Sequence, residues 1–128
     1  MSRVPRDIRL HRRSRLLELV YEDGSRHEFS CEFLRVQSPS AEVRGHGPGQ
    51  GVLQTGKKYV NIERVEPVGH YALRLVFDDG HDSGIYSWTY LDELGRDQEA
   101  LWRRYLEDLE RANASRLPPV SVARWTPQ

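Results

Sequence analysis

Hydrophobic and polar positions alternate most clearly between Tyr71 and Phe77, where Tyr71, Leu73, Leu75 and Phe77 face one way and Ala72, Arg74 and Val76 the other. A period of two marks a strand with one buried face. Asp78-Asp79-Gly80 follows, and a Gly after Asp supplies the positive φ of a tight hairpin turn, which predicts that His81 to Tyr86 returns antiparallel. Ser87 then caps a helix from Trp88 that carries Leu91 and Leu94 inward, with Gly95 as its stop. Strand, turn, strand and helix form one unit about which the rest of the chain is arranged.

The same pattern recurs upstream. Ile8 to Leu10 and Leu16 to Tyr21 read as strands, the second ending in Glu22-Asp23-Gly24. A two-residue loop would set Leu17 against Ser30 and Leu19 against Glu28. A three-residue loop with Gly24 in the left-handed region sets Leu17 against Phe29 and Leu19 against His27, which keeps the apolar residues on one face and is the expected register. Applied to the later hairpin, the same loop pairs Phe77 with His81 and Leu73 with Ile85. Ser30 to Val36 reads as a short helix turning Phe33 and Leu34 inward, ended at Ser38-Pro39-Ser40 because Pro39 lacks the donor a helix needs. Gly45 to Gly51 holds four glycines and Pro48 and reads as a surface loop. Tyr59 to Val65 predicts a strand ending near Pro67. Asp97 caps a last helix from Gln98 to about Ala114, with Leu101, Trp102, Tyr105, Leu106 and Leu109 on one stripe. Glu99 with Arg103 and Glu107 with Arg111 stand at the favourable i, i+4 spacing on its far side.

These elements predict an α+β fold: an antiparallel sheet built from hairpins, packed on one face by two C-terminal helices. One domain is expected over residues 1–117, followed by a flexible tail, 118–128, that opens with Pro118-Pro119. Leu19, Phe29, Leu73, Leu75, Ile85, Trp88, Leu91, Leu101, Trp102 and Leu106 are the expected core. A chain of 128 residues is large enough to bury it without staples.

Nineteen basic and nineteen acidic residues cancel, which removes the composition argument for a nucleic-acid or anionic-membrane partner. Arg3, Arg6, Arg9, Arg12, Arg13 and Arg15 crowd the start and read as a solvated strand face with a loose terminus. Ile8, Leu10, Leu16, Leu17 and Leu19 fall into strands, not an amphipathic presequence, and no apolar run approaches a membrane span, so a cytoplasmic location is expected. A single cysteine, Cys31, excludes an internal disulfide.

The runs LRVQSPSAEVRGHG, GKKYVNIERVEPVGHYAL and FDDGHDSGIYSWTYLDELG together resemble the small bacterial proteins of the gamma-butyrobetaine hydroxylase-like N-terminal domain family, over about Pro5 to Leu106. In hydroxylases that carry this domain, the resemblance implies a structural zinc held by three cysteines just after a Leu-Arg segment and by one histidine on a later strand. Leu34-Arg35 is present here and His81 falls at the histidine's place. Val36 to Ser40 offers no thiolate, however, and Cys31 lies on the other side of the Leu-Arg pair. Structural zinc takes four N or S ligands, so neither a metal nor a cofactor is expected. Related domains occur fused to P-loop carrier ATPases that assemble iron-sulfur clusters, and the resemblance implies a non-catalytic accessory or interaction role beside such a protein. The other role left open is a degenerate metal- or small-ligand-binding domain related to the N-terminal domain of 2-oxoglutarate-dependent hydroxylases. A metal site improvised from His81, Asp82, His46 and Cys31 would require the Gly-rich loop to fold over the hairpin.

Candidate chemistry is otherwise thin. Gly51 to Lys58, GVLQTGKK, nearly spells a phosphate-binding loop, but Lys58 replaces the hydroxyl that would hold Mg²⁺, and a strand follows where a helix N-terminus is needed. Asp78, Asp79, His81 and Asp82 cluster at one turn as a general base and its orienting carboxylate would, yet turn chemistry accounts for them and Ser83 and Ser87 are ordinary hydroxyls. The two-histidine, one-carboxylate iron triad belongs to a separate catalytic domain, and an enzyme is not expected. Trp88, Tyr90, Trp102 and Tyr105 read as core, not a stacking platform. The candidate recognition surface is therefore Arg35, Arg44, His46, Asp78, Asp79, His81 and Asp82, where the hairpin tip meets the Gly-rich loop and the arginine forks face carboxylates or phosphates.

Overall fold

The computed structural model describes residues 3–45 and 49–119. Its first three strands, β1 (Asp7–His11), β2 (Leu16–Val20) and β3 (Arg26–Ser30), form an antiparallel sheet with β2 in the middle. Leu17 faces Phe29 and Leu19 faces His27, the register that keeps the apolar side chains together. Gly24 takes φ +85° in the turn, and the amide of Tyr21 donates to the Ser25 carbonyl at 2.9 Å, closing the three-residue loop. Ser30 accepts from the Phe33 amide at 3.0 Å and so caps α1 (Cys31–Val36). A one-turn helix, α2 (Ala41–Arg44), follows behind Ser40; its four residues are too few to leave a periodic signature in the sequence.

The later strands do not extend that sheet. β4 (Ile62–Val68), β5 (Ala72–Phe77) and β6 (Gly84–Ser87) form a second three-stranded antiparallel sheet with β5 central, in place of the single sheet expected. Hairpin periodicity specifies neighbours within a hairpin and says nothing about whether two hairpins share an edge. The second hairpin also departs from its expected register. Its loop closes as anticipated, with Gly80 at φ +90° and the Phe77 amide donating to His81 at 2.9 Å. One additional residue is then accommodated before the ladder resumes with Leu75 opposite Gly84, so Leu73 faces Tyr86 and not Ile85. A one-residue shift exchanges the faces: Tyr86 is fully buried and Ile85 is 46 % exposed.

Both sheets feed one core. Leu17, Leu19 and Phe29 meet Leu73, Leu75, Phe77 and Tyr86, closed by Phe33 and Leu34 of α1 and by Trp88, Leu91 and Leu94 of α3 (Trp88–Arg96). Ser87 caps α3 by accepting from the Tyr90 amide at 3.0 Å. α4 (Gln98–Arg111) covers α1 more than sheet: Trp102 lies 6.4 Å from the Phe33 ring, and Tyr105 and Leu109 pack on Val36. Of the expected core, Leu101 and Trp102 are only partly buried and Leu106 is exposed, because α4 presents a narrow contact stripe. The expected i, i+4 pairs on α4 are absent from the described residues, where Arg111 pairs with Asp108 instead. The chain then returns across the 56–58 segment, Gly56 and Lys58 donating to the Ser115 and Arg116 carbonyls at 2.9 and 3.0 Å. Pro118 rests on Gly56. The remainder of the expected tail, residues 120–128, lies outside the described residues.

Gly95 does not stop α3 but sits inside it. A Cβ there would come within 2.3 Å of the His27 ring, which is held by Asp92 and wedged between Tyr21 and Phe29. Gly95 thus allows close approach of helix and sheet. Alanine improves helix propensity by about 1 kcal/mol, yet overpacking costs about 1–3 kcal/mol, so Gly95→Ala is expected to destabilise. In a His27→Ala background the collision is gone and the same substitution is expected to stabilise, a sign reversal that urea denaturation of the four proteins would reveal.

Candidate functional site

The expected surface residues divide between interior and exterior. Arg35 lies in the last turn of α1 and is buried; its Nε donates to Asp79 Oδ2 at 2.9 Å and its Nη1 to Gln54 Oε1 at 3.0 Å. Lys57 approaches the same Asp79 oxygen at 2.6 Å, while the other oxygen accepts the His81 amide at 3.2 Å. Burial acts to raise the Asp79 carboxyl, but Lys57, the His81 amide and Arg35 outweigh it and hold the group below the usual carboxylate range. Arg35 is therefore consumed by a fixed network and is not presented to a partner, a correction to the sequence reading.

His81 also points inward. It is 4 % exposed, with Nε2 2.8 Å from Ser38 Oγ and Nδ1 3.1 Å from Glu42 Oε2. The segment between Leu34-Arg35 and α2 therefore meets the later histidine, and it meets it with a hydroxyl. Ser40 similarly joins Ser83, oxygen to oxygen at 2.7 Å. Serine hydroxyls supply no thiolate, and both His81 nitrogens already face protein groups, so these residues do not fit the structural zinc that the resemblance implies. Cys31 lies elsewhere, its sulfur 3.6 Å from Asn61 Oδ1 and its thiol pushed up to about 11 by burial. Among the described residues no three His, Cys, Asp or Glu side chains are grouped to hold a metal ion. His46 lies outside the described residues.

The remaining candidates separate. Asp78 accepts the Asn61 amide at 3.0 Å, on the edge of β4. Asp82 offers its carbonyl to Arg74 at 3.0 Å. Arg44 bonds the Tyr90 hydroxyl and lies over its ring, 5.4 Å from the centre. Sequence reasoning missed Ser38 and Ser40, read as loop punctuation, Gln54 and Lys57, read as part of the rejected phosphate motif, and Glu42, which carried no local signal. What they share is proximity in space, not spacing in sequence.

Burial, and after it the Arg35 guanidinium, hold His81 below the ordinary imidazole value of 6.5, against the pull of Glu42 and Asp79. The unfolded chain then takes up a proton that the folded chain refuses. The stability due to neutral His81 is complete above about pH 6.5 and is lost as pH falls from there toward the folded value. His81→Gln is expected to flatten the urea midpoint across this window. Asp79, being depressed, acts only below about pH 4, so the two effects separate on the pH axis.

Beside this network lies a groove of about 520 Å³ between the end of α1, α2, residues 49–54 and α4. Val36, Val43, Leu53, Leu101 and Tyr105 give it an apolar floor, and Arg44, Arg104 and Asp108 stand among its polar lining. Gln54 links groove to network, since its side chain accepts from Arg35 and its carbonyl accepts the Tyr105 hydroxyl at 2.7 Å. The ionisable cluster thus fixes one wall of a concave surface. Among the described residues, no helix is long and apolar enough to cross a membrane.

A search of curated proteins gives no match. Solved structures do: two chains described as NMR solution structures are each 48 % identical, one with TM-score 0.81 over 98 % of this chain and 99 % of its own, the other with TM-score 0.78 over 99 % and 95 %. A crystal structure of a protein of unknown function from Acidithiobacillus ferrooxidans, assigned to the DUF971 family, is 40 % identical with TM-score 0.59, over 71 % of this chain and 91 % of that one. Residues 8–92 match the family model described as gamma-butyrobetaine hydroxylase-like, N-terminal. With that match spanning both sheets, α1 and most of α3, the chain belongs to the gamma-butyrobetaine hydroxylase-like N-terminal domain family.

Proposed function

We propose that this chain is a non-catalytic accessory module that receives an apolar segment of a partner protein in the groove between α1, α2 and α4. The observation that supports this reading is the division of labour at the site. Asp79 and His81, the hairpin-tip residues that could do acid-base chemistry, spend their polar atoms on Arg35, Lys57, Ser38 and Glu42, whereas the neighbouring concave surface is apolar-floored and carries Arg104 with no bonded partner among the described residues. Buried apolar contacts ringed by polar groups are how protein interfaces gain affinity. The resemblance to domains fused to iron-sulfur carrier ATPases makes such an ATPase from the same cell the first partner to test. Val52, 57 % exposed, and Arg104 both line the groove, so Val52→Glu with Arg104→Glu is expected to weaken binding about tenfold or more while leaving melting unchanged. Equal binding by this variant and the wild type would exclude the groove.

A second reading, a degenerate small-ligand-binding domain, is favoured by the groove's size, since about 520 Å³ falls within the roughly 300–1,000 Å³ of small-molecule sites. Elemental analysis and native mass spectrometry of untagged protein separate the two. The accessory reading expects neither stoichiometric metal nor a retained small molecule, and expects chelator to leave the fold intact.

A further inference from the structure

The connection between β1 and β2 is basic and pinned. Arg12 donates to the Glu63 carbonyl, Arg15 Nε donates to the Tyr59 carbonyl at 3.1 Å, and Asn61 Nδ2 donates to the Arg12 carbonyl at 3.0 Å. Arg15 itself sits at φ +56°, a conformation that L residues rarely adopt, with its carbonyl accepting the Cys31 amide at 2.9 Å. This turn is thereby fastened against residues 59–63. Tyr59 is 52 % exposed beside it, with Lys58 Nζ 5.7 Å from its ring centre.

Charge is compensated differently here from the rest of the two sheets. Arg3, Arg6, Arg9, Arg26, Arg64 and Arg74 each stand in ion-pair contact with a carboxylate. Arg12, Arg13, Arg15 and Lys58 have none among the described residues, and the remaining residues of the chain contain no Asp or Glu side chain to supply one. Asp78 instead accepts the Asn61 amide at 3.0 Å, and it is the main-chain carbonyl of Glu63 that receives Arg12. Arg44, Arg96, Arg103 and Arg104 also lack an ion-pair partner among the described residues, but within the two sheets and their turns the uncompensated cations gather here, where the backbone is held still.

We infer that the β1–β2 tip with Lys58 and Tyr59 is a docking surface for an acidic segment of a protein partner. Arginines anchored through main-chain carbonyls have already lost much of the freedom that binding would otherwise remove, and their forks match carboxylates. An exposed tyrosine among arginines has the composition of a protein-interface anchor. A polynucleotide would be drawn by a broad positive field, which this neutral chain lacks. The surface uses different residues from the groove, so either can fail without the other.

The probe is a fluorescent peptide of ten glutamates, read by anisotropy at low salt, with a ten-nucleotide thymidine oligomer in parallel. Arg13 and Lys58 make no side-chain hydrogen bond among the described residues, so Arg13→Glu with Lys58→Glu spares the fold. It is expected to weaken peptide binding about tenfold or more, whereas Arg96→Glu with Arg103→Glu, two equally unpaired cations on α3 and α4, leaves it within about twofold. Rising salt should weaken wild-type binding. Absence of wild-type binding to the peptide, or equal loss in both double variants, overturns the inference. Tighter binding of the oligonucleotide would also overturn it and reassign the surface to nucleic acid.

Discussion

Leu75→Ala is expected to lower the free energy of unfolding by about 3–5 kcal/mol, the upper part of the range for truncating a filled core site. Leu75 is fully buried on β5, the central strand of the second sheet, where it pairs with Val65 on one side and Gly84 on the other. Ladder hydrogen bonds on both edges prevent β5 from moving into the space left behind, so the cavity persists and its cost adds to the lost transfer energy. Ile85→Ala, one strand away but 46 % exposed, is the control and should cost well under half as much. Similar shifts in the two urea midpoints would show that the one-residue register change in β6 has been assigned to the wrong face.

Arg116→Ala is the second large effect, expected at about 2–4 kcal/mol. Glu32 lies in the first turn of α1 and is 5 % exposed, and both its oxygens accept from Arg116, from Nε at 2.8 Å and Nη2 at 2.7 Å. Removing the guanidinium leaves a buried carboxylate without its bidentate partner, which costs about 3–5 kcal/mol in a dry interior. Arg116 is 35 % exposed as a side chain, so water moderates the loss. Adding Glu32→Gln should recover much of it, because a neutral amide is cheaper to leave buried than a charge. Truncation after Asn113 should match or exceed the Arg116→Ala loss, since it also removes the Ser115 and Arg116 carbonyls that receive Gly56 and Lys58. An Arg116→Ala protein that melts with the wild type would contradict this clamp.

Local chemistry was legible in the sequence at most of the turns and caps that one short stretch decides, although Asp97, expected to cap α4, makes no side-chain cap hydrogen bond. Gly24, Gly80 and Ser87 each have a turn or cap to make, and each makes it. The first hairpin's register followed because only one pairing keeps Leu17, Leu19 and Phe29 together. The second hairpin offered no such discrimination, since Ile85 and Tyr86 both tolerate burial and the outcome depended on His81 and Ser83 reaching Ser38 and Ser40. Gly95 illustrates the same limit: its position near a helix end suggested a stop, whereas the reason for glycine is the His27 ring on another element. At the candidate site, Asp79 meets both Arg35 and the His81 amide, but the inward direction of these groups was not legible. Whether an ionisable group faces solvent or interior depends on partners such as Lys57, Gln54 and Glu42, which are up to tens of residues distant in the chain. The groove was invisible for the same reason, being made by four separate segments.

The hairpin-tip network is spent on contacts within the fold, and the recognition proposed here belongs to the surface beside it. Amide spectra of isotopically labelled protein, titrated with an iron-sulfur carrier ATPase as the proposed partner, distinguish the two surfaces. Shifts or broadening are expected at Val36, Val52, Leu101 and Arg104 around the groove, with Asp78 and Asp82 unmoved. Perturbation confined to Asp78, Asp79 and Asp82, with the groove residues silent, would contradict this assignment.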